Sequence, residues 1–275
     1  MNNSDLYLRN NDVQRRDSSE ILDELSKHFK WRYDGSDNLL DIGCGPGDVL
    51  FDLILPKIPR NFNKVVGIDV SNEMLQCARE NFGNEFLEFR RVDISAISAC
   101  QCLDNQQFDN ITSFYCLHWI QNQKQVFANI QKLLRHDGTA LIAFLIFTPL
   151  FDIYERLSRV SKYKPFMKDV GNFISPYHND KRPVETVRDY CDDVGLKVAH
   201  IEVREKVFYY KNYEHVRNAV ESVNPFTKRM PEKLKQSFIC DYIKLVKQLT
   251  ENRYNNNNDD NVISRYKLLI AVLSK

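Results

Sequence analysis

At 275 residues the chain is long enough for one large α/β domain with an elaborated part, or for two small domains. Its 38 basic side chains nearly balance 37 acidic ones, which argues against nucleic acid or an anionic membrane as the main partner and favours a small neutral or acidic one. Seven cysteines with no C-x-x-C pair and six histidines with no His/Cys cluster argue against a disulfide framework and against a metal site.

Residues 1–11 are polar, too polar for a signal peptide, and no stretch approaches the roughly 20 apolar residues that span a bilayer, so a cytoplasmic location is expected. Val13, Ile21, Leu22, Leu25 and Phe29 then mark one face of a helix running to about Lys30. Tyr7 and Gln14 stand seven apart; a helical turn that includes Tyr7 puts both on one side, able to close over a ligand, and otherwise Tyr7 belongs to a solvated arm. Leu39-Leu40-Asp41-Ile42 reads as a buried strand running into the glycine turn Gly43-Cys44-Gly45-Pro46-Gly47 and a helical stretch from Asp48 to Leu53. Lys64 to Val70 is a second strand ending in Asp69, and Phe86 to Ile94 a third carrying Asp93. A dinucleotide site binds pyrophosphate through backbone N–H groups and gathers few acids, so three acids on successive strand ends suit a cation with free hydroxyls instead. S-adenosylmethionine, a sulfonium with an amino group and no phosphate, is such a ligand. Met74, one turn into the next helix, either covers the adenine face or packs in the core.

Gln107 to Cys116 is the fourth strand, with Tyr115 near its end and His118 and Trp119 just beyond, where ligands gather in an open α/β sheet. A helix from Gln123 to Leu134, stopped at Asp137-Gly138, leads to an apolar fifth strand from Thr139 to Phe147. Strand and helix alternate up to this point, which predicts a doubly wound parallel sheet. From Thr148 to about Lys181 short helices carry Phe151, Tyr154, Tyr163, Phe166, Phe173 and Tyr177, read as a cap whose aromatics line an acceptor pocket or simply pack helices together. A helix from Pro183 to Val194, a sixth strand from Lys197 to Tyr210, helices over Tyr213 to Val223 and Pro231 to Thr250, a polar loop around Asn255 to Asp260 and a last strand from Val262 to Leu273 complete the chain. Three regions are expected: 1–147, a cofactor-binding core with an N-terminal lid; 148–196, the helical cap; and 197–275, the last strands with inserted cap helices.

Asp41-Ile42-Gly43-Cys44-Gly45-Pro46-Gly47, Gly67-Ile68-Asp69-Val70-Ser71 and Val92-Asp93-Ile94 resemble the motifs of class I S-adenosylmethionine-dependent methyltransferases. The resemblance implies a Rossmann-like sheet of about seven strands with the last pair antiparallel. It also implies that Gly43 and Gly45, with Cys44 between them, lie against the methionine part. Asp69 would hold the ribose hydroxyls with Val70 beside it, and Asp93 and Ile94 would take the adenine; Tyr7, Asp41, Met74 and Tyr115 complete the candidate cofactor set. Neither this cofactor nor its product S-adenosylhomocysteine calls for a metal.

A carboxylate acceptor is already ionised at neutral pH, so its methylation needs no general base. It needs neutral donors that orient the carboxylate without neutralising it, and Gln14 and Trp119 are such a pair, with His118 as a third donor or as a structural histidine. Asp5-Leu6-Tyr7 with Gln14, Ser113-Phe114-Tyr115-Cys116-Leu117-His118-Trp119-Ile120, Phe173-Ile174-Ser175-Pro176-Tyr177-His178 and Asn224-Pro225-Phe226 resemble the insect juvenile hormone acid O-methyltransferase family. The resemblance implies methylation of farnesoic acid or juvenile hormone acid, an isoprenoid carboxylic acid, with Gln14 and Trp119 holding the carboxylate; charge and hydropathy argue against nucleic acid and membrane insertion as partners, and a monomer and a homodimer are both open. The competing expectations are a methyltransferase for a fatty or other small acid, a binding protein that holds cofactor and hormone acid without turnover, and a nicotinamide-dependent oxidoreductase.

Overall fold

A computed structural model describes residues 4–32, 34–251 and 261–275, so the predicted polar loop at Asn255 to Asp260 lies outside the described residues. Seven strands form one sheet in the order β3-β2-β1-β4-β5-β7-β6. They are β1 (Asn38–Ile42), β2 (Lys64–Asp69), β3 (Leu87–Arg91), β4 (Phe108–Phe114), β5 (Leu134–Phe147), β6 (Lys197–Tyr210) and β7 (Val262–Ser274). β1 to β5 pair in parallel, while β7 runs antiparallel to both β5 and β6. This is the predicted doubly wound sheet with its antiparallel last pair.

Alternation along the central strands builds two cores at once. Ala140, Ile142, Phe144 and Ile146 of β5 and Leu269, Ala271 and Leu273 of β7 face one cluster. That cluster is closed by the helices α4 (Ala99–Cys102), α5 (Gln123–Leu133) and α7 (Pro183–Val194). Leu141, Ala143, Leu268, Ile270 and Val272 face the other, under α2 (Asp12–Leu25) and α3 (Asn72–Phe82). Each buried Leu, Ile, Val or Phe side chain among these contributes about 1.5–3 kcal/mol relative to exposure. Local signals set the helix ends: Ser71 and Asn122 accept hydrogen bonds from the N–H groups of Met74 and Gln125, and Gly195 ends α7 at φ +78°.

A third cluster unites α6 (Pro149–Ser158) with α8 (Tyr213–Val223) and α9 (Glu232–Glu251) through Ile153, Tyr154, Tyr163, Val220, Phe226, Phe238 and Tyr242. The cap is thus assembled from segments far apart in sequence. No helix among the described residues is long and apolar enough to cross a membrane.

Three boundaries differ from the sequence reading. The chain leaves α5 straight into β5, because Leu134 is already extended and Asp137, at φ +63°, makes the turn inside the strand. β3 ends at Arg91, so Asp93 and Ile94 lie beyond it. Residues 4–8 form a short helix α1 with Tyr7 buried, in place of a solvated arm.

Candidate active site

The site grows from the glycine turn at the carboxyl end of β1. Gly43, Gly45 and Gly47 all sit in the left-handed region, at φ +76°, +55° and +88°. At Gly43 a Cβ would lie 2.3 Å from Cys116 Sγ, so any side chain there is both strained and blocked. At Gly45 a Cβ would meet nothing within 4 Å, which leaves the backbone bare on that side. The N–H groups of Gly43 and Cys44 donate to Ile68 O, that of Gly47 to Cys44 O, and that of Gly45 to Asp69 Oδ2 at 3.1 Å. The turn therefore spends its donors inside the protein, unlike a loop built to cradle phosphate.

Two cavities share lining residues here, and the smaller lies beside the turn. The smaller, about 30 Å³ and so about one water in size, is lined by Tyr7, Gln14, Ser18, Asp41, Gly43, Cys44, Gly45, Asp48, Val49, Phe114 and Tyr115. The larger, about 170 Å³, is lined mainly by aliphatic side chains, among them Val13, Leu145, Leu150, Ile153, Val216, Ala219, Val220, Val223, Val246, Leu249 and Val262. Gln14 and Tyr115 line both. Among the described residues the Gln14 side-chain amide makes no hydrogen bond, so its donors are uncommitted.

Helix α2, which carries Gln14, is pinned on two sides. Asp48 accepts from Asn11 Nδ2 at 2.9 Å and Arg15 Nη1 at 2.6 Å, and Arg15 also reaches Asp52 at 2.8 Å. The fully buried Asp17 accepts hydrogen bonds from the phenols of Tyr115 and Tyr266, each at 2.6 Å, and from Arg16 Nη2 at 2.9 Å. Such a carboxylate is tolerable in the interior because both oxygens are satisfied and cations stand beside it. Tyr115 itself sits at φ +55°, a strained position held by this bond and by its own N–H to Ala143 O.

Burial dominates the electrostatics. Asp41, which accepts from Thr112 Oγ1 at 2.7 Å, has its pKa pushed up to about 7 by burial, with Asp69 and Asp48 adding repulsion. Burial likewise raises Asp69, although the N–H groups of Ser71 and Gly45 partly offset it. Both carboxyls are poised to gain from a cation. Burial also holds Tyr7 protonated and pushes the Cys44 and Cys116 thiols up.

The remaining sequence candidates are placed less directly. Asp93 is exposed, its Oδ1 accepting from Ser95 N–H at 2.8 Å, and Ile94 behind it is buried. Val70 is exposed beside Asp69. Met74 is fully buried, so its thioether is committed to packing and offers no surface to a ligand in this conformation. Trp119 is half-buried and lines neither cavity; its ring lies 4.8 Å from His118 and 6.1 Å from Phe151, between centroids. The six cap aromatics line neither cavity: Phe151, Tyr154, Tyr163 and Tyr177 are core side chains. Sequence reasoning missed the α8 stripe Val216, Ala219, Val220 and Val223, whose i, i+3, i+4, i+7 spacing was visible, and also missed Ser18, Asp48, Val49 and Phe114.

His118 accepts from Leu145 N–H through Nδ1 at 3.4 Å, and burial pushes its pKa down to about 3. The folded value lies below the unfolded 6.5, so the stability of the neutral ring is present above pH 6.5 and is lost as pH falls towards 3. At pH 5 the loss amounts to about 2 kcal/mol. Thermal unfolding at pH 7.5 and 5.0 should therefore show a smaller acid penalty in His118→Asn than in the parent. Equal penalties would remove His118 as the cause.

Comparison with known proteins agrees with this architecture. A methyltransferase domain family matches residues 34–165. The chain is 38% identical over 280 residues to juvenile hormone acid O-methyltransferase of Drosophila melanogaster, covering 100% of this chain and 93% of that protein. It is 34% identical over 267 residues to the Bombyx mori protein of the same name, covering 97% and 94%. Among solved structures it resembles phosphoethanolamine N-methyltransferase 2 of Haemonchus contortus, with a TM-score of 0.50 and 16% identity over 93% of this chain and 52% of that one, a likeness of fold alone.

Proposed function

The chain belongs to the juvenile hormone acid O-methyltransferase family and is an S-adenosylmethionine-dependent methyltransferase, and from that premise we propose that it methylates the carboxyl group of an isoprenoid acid of the juvenile hormone acid or farnesoic acid class. The observation that carries the proposal is the meeting of an acid-lined cavity with an aliphatic one at Gln14 and Tyr115. A cationic methyl donor suits the first and an apolar chain suits the second, so the carboxylate lies at the junction.

The residues present fit the cofactor. Asp41 and Asp69 supply the negative charge that a sulfonium and an ammonium group ask for, and the bare Gly45 allows close approach. Asp69 would hold the ribose hydroxyls, with Asp93 and Ile94 beside the adenine, as the family resemblance implies. When bound, S-adenosylmethionine supplies a methyl group on a sulfonium, ready for direct displacement. Tyr7 of α1 lines the small cavity beside Gly43 and Gly45 and would lie against the methionine part.

The acceptor carboxylate arrives ionised, so no residue has to remove a proton. Gln14 orients it with a neutral amide donor, and Trp119 adds its indole N–H if the ring turns towards the junction. His118, held neutral, cannot form an ion pair that would blunt the nucleophile. Positioning of this kind can supply ~7–11 kcal/mol of the barrier. The aliphatic wall excludes water and grips the chain.

The test is incubation of purified protein with methyl-labelled S-adenosylmethionine and a panel of farnesoic acid, juvenile hormone acids and straight-chain fatty acids, counting label in the organic extract. Label in the isoprenoid esters alone supports the proposal. Label in the fatty esters instead would move the substrate to that class, and no label in any would overturn carboxyl methylation of these acids.

A further inference from the structure

Ser18 lies on α2 one helical turn beyond Gln14, and the i, i+4 spacing puts both on one face. It lines the small cavity and is fully buried, yet its Oγ has no hydrogen-bond partner. A serine inside a helix commonly returns its hydroxyl to the carbonyl four residues back; this one does not. A buried hydroxyl without a partner costs folding free energy, so something other than folding accounts for it.

The surroundings indicate what the hydroxyl would bind. A cationic group has Asp41 there, while Asp48 is already paired with Arg15. An anionic group is not so provided for: the N–H groups of the glycine turn are spent within the protein, and Arg15 is held by Asp48 and Asp52. Besides the Gln14 amide and the Tyr7 phenol, Ser18 Oγ–H is the side-chain hydroxyl left to face a negative group in this cavity.

We propose that Ser18 is a ligand-binding residue whose hydroxyl donates to a carboxylate entering the small cavity, an inference that rests on the methyl-transfer reading above. Two carboxylates arrive there, the amino-acid carboxylate of the cofactor and that of the acceptor.

Ser18→Ala separates them. Without ligand its melting temperature should equal or exceed that of the parent, because only an unsatisfied group is removed. A loss of roughly tenfold or more in S-adenosylhomocysteine affinity by calorimetry, with unchanged affinity for 5′-methylthioadenosine, which lacks the amino-acid tail, assigns the hydroxyl to the cofactor carboxylate. A comparable rise confined to the KM of the acceptor acid assigns it to the acceptor. Parental values for both, an equal loss for both nucleosides, or a fall in melting temperature that accounts for lost binding would overturn the inference. A parent protein that fails to bind S-adenosylhomocysteine sinks the methyl-transfer reading itself, whereas a parent that binds it and a variant that matches the parent sink only the role of Ser18.

Discussion

Replacing Gln14 with alanine is expected to lower kcat/KM for the acceptor acid on the order of a hundredfold while leaving S-adenosylhomocysteine affinity within a few fold. The reason is its place. Gln14 borders both cavities, its amide is uncommitted, and α2 is fastened to the sheet by Asp48 on one side and by Asp17 through Tyr115 and Tyr266 on the other. A donor held this firmly orients an ionised nucleophile without reorganisation, and its removal allows the carboxylate to drift out of line. Steady-state kinetics with a parallel cofactor titration decides the matter. Equal loss of cofactor binding would mean that Gln14 belongs to the cofactor. Trp119→Phe provides the contrast, because it keeps a ring against His118 and Phe151 and removes only the indole N–H. A large fall in turnover would place that N–H on the substrate, and parental turnover would leave Trp119 a packing residue.

The second large effect is a pH dependence of cofactor affinity. In the ligand-free protein the Asp41 pKa stands at about 7, above the unfolded 3.8. Stability from the buried neutral carboxyl is therefore complete below pH 3.8 and is lost as pH rises through about 7. A cationic ligand prefers the ionised carboxylate and pulls the pKa down, so binding releases a proton below neutrality. S-adenosylmethionine affinity should then climb with pH by up to about tenfold per unit and level off above pH 7, where the carboxylate is already ionised. Calorimetry from pH 5.5 to 8.5, in buffers of different ionisation enthalpy, reads both the affinity and the released proton. Asp41→Asn should flatten the profile, with weaker binding at pH 8 and no loss of stability there. A parental profile already flat between pH 6 and 7 would remove Asp41 from contact with the cation.

The amino-acid sequence by itself determined the sheet and the acid-rich edge. Buried strands, a glycine turn and helix caps are local signals: Asp41 and Asp69 are placed by the strands that carry them, and Gly43 by a backbone angle that other residues avoid. It also singled out Tyr7 and Gln14, but by a spacing that assumes one continuous helix; they sit on separate helices, α1 and α2, and the packing of those helices brings both to the small cavity.

Only the tertiary structure decided the proposed acceptor side. The aliphatic wall joins α2, β5, α6, α8, α9 and β7, and no local pattern says which apolar stripe faces a cavity and which a core. Helical periodicity is the same in both cases, which is why the cap aromatics were open to either reading while Val216, Ala219 and Val220 line the cavity. Asp17 meets phenols 98 and 249 residues away, and the orphaned hydroxyl of Ser18 is defined only by what surrounds it. Spacing along the chain specifies which side chains share a face. Burial, partners and cavities are properties of the packed whole, and they decide what that face can bind.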